Sequence, residues 1–239
     1  MGSLIRSTAE VARDEAGAPV FEVVAQIGFD LSAADSAPAA DVLVDFSNVA
    51  TLPAVASYVR RTGAALVSGT TGYDDAQTAE LRSLADVAAV LHSGNYSLGV
   101  AVLRHATALA ARELAGFDVE IVETHHNQKV DAPSGTANIL LDAVVGAEEA
   151  AGRGEYHPVF GRHGMVGARD PREVGMHSLR GGTVAGVHTV SFFGPDEEVS
   201  LTHRATSRQI FVNGALAAVR RMTGRPAGRY EFDEVMFGA

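Results

Sequence analysis

His125, His126 and Lys129 fall within five residues of one another in the segment Glu123-Thr124-His125-His126-Asn127-Gln128-Lys129-Val130-Asp131-Ala132-Pro133-Ser134-Gly135-Thr136. Imidazoles accept and donate protons near neutral pH, and a lysine ammonium is a compact donor that can be deprotonated, which a guanidinium is not. Of the nineteen Lys and Arg side chains, Lys129 alone is lysine. A chain that uses arginine wherever a positive charge serves points to proton transfer at the one place where it does not. Beyond Lys129, Asp131-Ala132-Pro133 breaks regular structure, Ser134 is a natural N-cap, and Gly135 and Thr136 open a helix. The unpaired N–H groups and the dipole at that end form an anion site, and Gly135 lets a ligand approach the backbone. Imidazoles, an ammonium and an anion cradle together suit a small substrate that carries carboxylates and undergoes proton transfer.

Other roles for these residues carry less weight. Adjacent histidines point to opposite faces of a strand, and the chain has neither a His-x-x-x-His helix nor any cysteine, so no metal site is expected. Ser134 as a nucleophile competes with capping, which occupies its oxygen. Glu123 shares a face with His125 on a strand read over 117–124, and both Glu123 and Asp131 could be plain structural or surface carboxylates. His92, His105, His157, His163, His177, His188 and His203 read as structural or surface side chains.

The elements that position this segment follow from periodicity. Residues 20–27, 41–46, 64–68 and 87–92 are short, β-branched-rich runs that read as buried strands. Asn48 caps a helix that Gly63 ends, and Asp74 or Asp75 starts another, running to about Ala85. Alternating strands and helices imply a parallel sheet with ligands at the carboxyl ends of its strands. Past Ser97 the pattern changes. A helix over about 98–115 leads to strand 117–124, the reactive segment and helix 136–151. Then come a loop-like 152–173, expected to be flexible, and strands 174–180, 184–193 and 198–206. A last helix, about 208–222, returns to the first part. Strands in succession mark a second, α+β domain.

Composition narrows the class. At 239 residues the chain has room for two modest domains. A net charge of −10 argues against a nucleic-acid partner, and no 18-residue apolar run or leader pattern suggests a membrane. The lack of cysteine fits a cytoplasmic location.

The segment from Glu123 to Ala137 closely resembles the E-x-H-H-x-x-K-x-D-x-P-S-G-T-A motif of the 4-hydroxy-tetrahydrodipicolinate reductase (dihydrodipicolinate reductase) family. Val44-Asp45-Phe46-Ser47, Gly69-Thr70-Thr71-Gly72-Tyr73, Gly94 to Val100 and Thr202 to Arg208 resemble family segments in the same order. The resemblance implies a reductase of lysine and diaminopimelate biosynthesis that uses NADPH or NADH on a cyclic dicarboxylate with loss of water. Its fold would be α/β: an N-terminal Rossmann-like dinucleotide-binding domain (1–97 plus 208–239) and an α+β substrate-binding and tetramerisation domain with a mixed sheet (98–207), assembled as a homotetramer. By position, His125 resembles the proton donor/acceptor and Lys129 the proton donor. His126, Gly135 and Thr136, with Ser134 alongside, resemble substrate contacts. Phe46, Gly69, Thr70 and Thr71, then Ser93, Gly94, Asn95 and Tyr96, resemble cofactor contacts. By the same comparison Met1-Gly2 falls on the end of the family's Gly-rich turn, and the first strand and most of that turn, about a dozen residues, are missing. That difference leaves an alternative: a non-catalytic dicarboxylate-binding or assembly protein without cofactor affinity. Gly28-Phe29-Asp30 stands where a ribose-reading residue would, and does not distinguish NADH from NADPH.

Overall fold

The computed structural model describes residues 1–28 and 30–238. Its strands are β1 Val42–Asp45, β2 Ala65–Ser68, β3 Ala89–His92, β4 Asp118–His125, β5 His157–Val159, β6 Glu173–Arg180, β7 Gly186–Phe193, β8 Glu198–Ala205 and β9 Gly228–Tyr230. Its helices are α1 Gly2–Val11, α2 Ala33–Ser36, α3 Leu52–Thr62, α4 Asp75–Ser83, α5 Leu98–Glu113, α6 Gly135–Ala150, α7 Gln209–Met222 and α8 Phe232–Phe237. Two compact units result, Met1–Ser97 with Gln209–Ala239, and Leu98–Arg208.

In the first unit β1, β2, β3 and β9 form a parallel, Rossmann-like sheet in that order. β2 is buried along its whole length, as a strand covered on both faces must be. Asn48 starts a short 3-10 turn over Val49–Thr51 that leads into α3. Gly63 ends α3 in a left-handed conformation, at φ 69°. Asp74 caps α4 in a reciprocal capping box with Gln77. β9 escaped the sequence reading because three residues, one of them Arg229, carry no usable period.

Residues 20–27 are the clearest departure from the sequence reading. Among the described residues they form no strand. A mostly apolar slot of about 450 Å³ runs along residues 21–28 and β1, floored by Ile5, Ala9, Val55 and Leu216. β1 is the last strand on that side of the sheet. An apolar run becomes a strand only where a neighbour takes up its backbone N–H and C=O groups, and this one faces the slot. Phe29, within the Gly28-Phe29-Asp30 segment, lies outside the described residues.

The second unit is a mixed sheet in the order β5-β6-β4-β7-β8. β4 is parallel to β6 and antiparallel to β7. Its core joins Leu103 and Ala111 of α5 and Leu140 and Val144 of α6 to Val119, Ile121, Val174, Met176, Val190 and Phe192 of the sheet. Residues 152–173 are tied down more than their composition suggests. β5 pairs with β6. Arg162 bonds Glu120 at 2.8 Å and also Glu173. Arg169 reaches Asp118 at 3.0 Å and the Val119 carbonyl at 2.9 Å.

Candidate active site

One row of the second sheet is apolar: Met176, Ile121, Val190 and Leu201 lie side by side on four strands. Two residues along, the same face reads Ser178, Glu123, His188 and His203. The core therefore ends abruptly in a polar row, with Glu123 fully buried in it. A buried carboxylate persists only if it is paired and hydrogen-bonded. Arg180 supplies both arms of its guanidinium to Glu123, at 2.8 and 2.9 Å. His125 Nδ1 lies 2.5 Å from Glu123 Oε2, and the Ser134 N–H donates to Oε1 at 3.2 Å. Burial would raise the Glu123 carboxyl, but hydrogen bonds from Arg180, then His125 and Ser178, outweigh it and hold it down at about 2.

An ionised Glu123 accepts, so His125 donates through Nδ1 and leaves Nε2 to exchange a proton. Room beside Nε2 comes from Gly186, where a Cβ would stand 3.2 Å from it. The loop after His125 is pinned to the turn between β6 and β7: Gly181 N–H donates to the His125 carbonyl at 2.9 Å, and Asn127 N–H to Gly182 at 3.2 Å. His126 is half-buried, and its carbonyl accepts the Lys129 N–H at 3.2 Å. Lys129 Nζ grips both oxygens of Asp131, at 2.7 and 2.8 Å, and that contact holds the exposed Asp131 carboxyl below its ordinary value. Such a partly exposed pair is weak. Ser134 caps α6, its Oγ accepting the Ala137 N–H at 3.2 Å. Gly135, exposed, and Thr136, half-buried, make the first turn of that helix.

The buried groups make the unit acid-sensitive in two stages. Burial, then the nearby His125, pushes His188 from 6.5 down to about 4. Unfolded, this imidazole binds its proton below pH 6.5, whereas in the folded chain it does so only near 4, so stability falls with pH across that window. Glu123 contributes stability above its unfolded value of 4.5 and loses it as pH falls towards 2. Each window is worth roughly 3 kcal/mol. Urea unfolding of the wild type and of His188→Gln between pH 7 and pH 4 checks the first window. An equal loss of stability in both proteins would exonerate His188.

In the first unit the carboxyl ends of β1 and β2 open on a cleft of about 360 Å³ lined by Met1, Phe46, Ser47, Asn48, Val49, Gly69, Thr70, Thr71 and Gly72. Phe46, Gly69, Thr70 and Thr71 are thus together. Gly69 is required by packing, because a Cβ there would stand 2.2 Å from the Phe46 ring. Thr70 is buried: its Oγ1 donates to Asp45 at 2.8 Å and accepts the Ser47 N–H at 3.0 Å, so it offers a ligand its backbone rather than its hydroxyl. No hydrogen bond appears among the described residues for the backbone N–H groups of Thr71 and Gly72, which suits the acceptor atoms of a dinucleotide. Gly2, at the start of α1, lines the slot rather than this cleft. Ser93, Gly94, Asn95 and Tyr96 follow β3 outside the lining. The Tyr96 side chain is core: it is 1% exposed, donates to the Ser68 carbonyl at 2.8 Å and packs on Phe46 and Phe232.

Sequence reasoning missed Arg180, the last residue of the strand read over 174–180, and took His188 and His92 as structural or surface side chains. It also left Asp45 without a role of its own. Asp45 gathers Ser47, Ser68 and Thr70, and His92 Nε2 meets the Thr70 carbonyl at 2.8 Å. A buried acid in a strand demands a cationic partner, but only the register of β4 on β6 reveals which one.

A parallel sheet with a ligand cleft at its strand ends, carried on one chain with a mixed sheet bearing a carboxylate–imidazole pair beside a helix N-terminus, defines a two-domain, dinucleotide-dependent oxidoreductase. Family models for dihydrodipicolinate reductase match both halves, the N-terminal one over residues 4–96 and the C-terminal one over residues 99–236. The chain is 39% identical over 196 residues to the 4-hydroxy-tetrahydrodipicolinate reductase of Brachyspira hyodysenteriae, covering 82% of this chain and 83% of that protein. It is 46% identical over 202 residues to that of Rhodopseudomonas palustris strain TIE-1, covering 82% and 72%. Its fold matches the dipicolinate-bound dihydrodipicolinate reductase of Paenisporosarcina sp. TG-14 with a TM-score of 0.67, at 23% identity and over 93% and 84% of the two chains. The chain belongs to the dihydrodipicolinate reductase family, whose dinucleotide-binding domain implies a nicotinamide cofactor.

Proposed function

We propose that this chain reduces 4-hydroxy-tetrahydrodipicolinate to tetrahydrodipicolinate with loss of water, with NADPH or NADH, as a cytoplasmic homotetramer in lysine and diaminopimelate biosynthesis. The observation that carries the reading is the Glu123–His125 pair, held by Arg180 and set beside the capped N-terminus of α6. The bound nicotinamide would supply a hydride. Phe46 and the backbone of Gly69, Thr70 and Thr71 would hold it, the segment Ser93 to Tyr96 would border it, and the N-terminal turn of α1 at Gly2 would meet its phosphates.

The chain's own residues handle charge and protons. Thr136 and the Gly135 backbone, with His126, would bind the substrate carboxylates, and Ser134 would shape the turn. His125, oriented by Glu123, would exchange a proton through Nε2. Lys129, released from Asp131 by a carboxylate, would donate one. Loss of water takes a ring C–H proton and a hydroxide from the substrate, and reduction adds one hydride and one proton, so the net demand is a single proton, which suits one group that exchanges protons and one that donates.

The test is a coupled assay on enzymatically generated substrate with each nicotinamide in turn, together with calorimetric titration of NADPH, NADH and dipicolinate. Turnover with either cofactor is expected. Dipicolinate binding without cofactor binding or turnover would favour the non-catalytic alternative, which membership of both halves in one reductase family counts against. Binding of none of the three would reject both.

A further inference from the structure

His188 is an odd residue to bury. It is 4% exposed, and its Nδ1 makes no hydrogen bond among the described residues. A phenylalanine of similar shape would pack in the same place without stranding a polar atom, so packing alone does not account for an imidazole here. Its other nitrogen has a partner: Nε2 lies 3.0 Å from Ser134 Oγ.

Ser134 is 2% exposed, and each of its groups is engaged. Its N–H goes to Glu123, and its Oγ accepts the Ala137 N–H. A hydroxyl has one proton to give, and the atom in line to receive it is His188 Nε2. That assignment requires a neutral imidazole, protonated on Nδ1, and burial keeps His188 neutral. The same ring stands edge-on to His125, with centroids 5.1 Å apart, and lies directly across from Glu123 on the neighbouring strand.

We infer that His188 is a positioning residue for the proposed reaction: as a neutral acceptor it receives the hydrogen bond of the Ser134 hydroxyl and so fixes the first turn of α6, where Gly135 and Thr136 present themselves to a substrate carboxylate. The inference rests on the reading given under Proposed function. It also redefines Ser134. With its proton committed to His188, Ser134 has none for a ligand, and it acts through the shape of the turn rather than as a contact.

The experiment compares His188→Phe, which deletes the acceptor, with His188→Gln, which keeps one. It measures KM and kcat, calorimetric Kd for dipicolinate, and the side-chain ¹⁵N spectrum of the wild type at neutral pH. His188→Phe is expected to raise KM and the dipicolinate Kd roughly five- to tenfold while kcat changes far less, the scale of a lost helix cap. His188→Gln should recover most of that loss, and the wild-type spectrum should show His188 neutral with its proton on Nδ1. Unchanged KM and Kd in His188→Phe, a glutamine no better than phenylalanine, or a proton on Nε2 would each overturn the inference. If His188→Phe does not fold, Ser134→Ala removes the same bond from the other side and should raise Kd alike. A wild type that binds dipicolinate without turning over would fail the reductase reading alone, because Kd and the spectrum still decide the role of His188.

Discussion

Lys129→Arg is expected to cut kcat by about 10²-fold or more while leaving the fold intact. The magnitude is that of a positioned proton donor in the transition state. Arginine keeps the charge and can still meet Asp131, both of whose carboxylate oxygens now accept from Lys129 Nζ. A guanidinium does not release its proton in proteins, so binding would survive where chemistry does not. The expected signature is a KM close to wild type with a collapsed kcat, and a thermal midpoint within about 2 °C, since a partly exposed ion pair contributes under about 1 kcal/mol. Wild-type turnover in Lys129→Arg would reduce Lys129 to an electrostatic role.

Glu123→Gln should cost both stability and rate. Glu123 is fully buried and takes two bonds from Arg180, one from His125 and one from the Ser134 backbone. Removing its charge strands Arg180, whose side chain is only 20% exposed. Breaking one side of a buried pair costs on the order of 3 kcal/mol. His125 would also lose the charged acceptor that orients its ring, so kcat should fall as well. Chemical denaturation and steady-state kinetics check the two effects. A double-mutant cycle with Arg180→Gln should recover part of the lost stability, because the stranded charge then disappears. Additive losses in that cycle would show that Glu123 and Arg180 are not energetically paired.

Much of this was legible from residue order. Gly63, and Asp74 as one of two candidate starts, marked helix ends because each answers a local backbone demand that sequence alone states. The alternation of Val119, Ile121, Glu123 and His125 put a carboxylate and an imidazole on one face, and their 2.5 Å contact follows from it. Ser134 likewise caps α6 for a local reason. What was not legible depends on neighbours far along the chain. Residues 20–27 carry a strand-like pattern, but a strand is a relation between segments, and these residues face the slot instead. Arg180 and His188 flank Glu123 only through the pairing of β6 and β7 with β4, 57 residues away in the case of Arg180. Tyr96 sits in a segment that resembles a ligand contact, yet its ring and hydroxyl are spent on the core.

The solitary lysine also makes this protein an unusual chemical target. Amine-directed acylating reagents ordinarily decorate a protein at many surface lysines and yield a mixture. Here they meet a single side-chain amine, and it stands in the candidate site, four residues past His125. The modified fraction of one peptide, read by mass spectrometry, would therefore report directly how much of that site is open, and a bound dicarboxylate should appear as protection. The same arithmetic warns against attaching this protein to surfaces or dyes through lysine, since the handle and the proposed proton donor are one and the same atom.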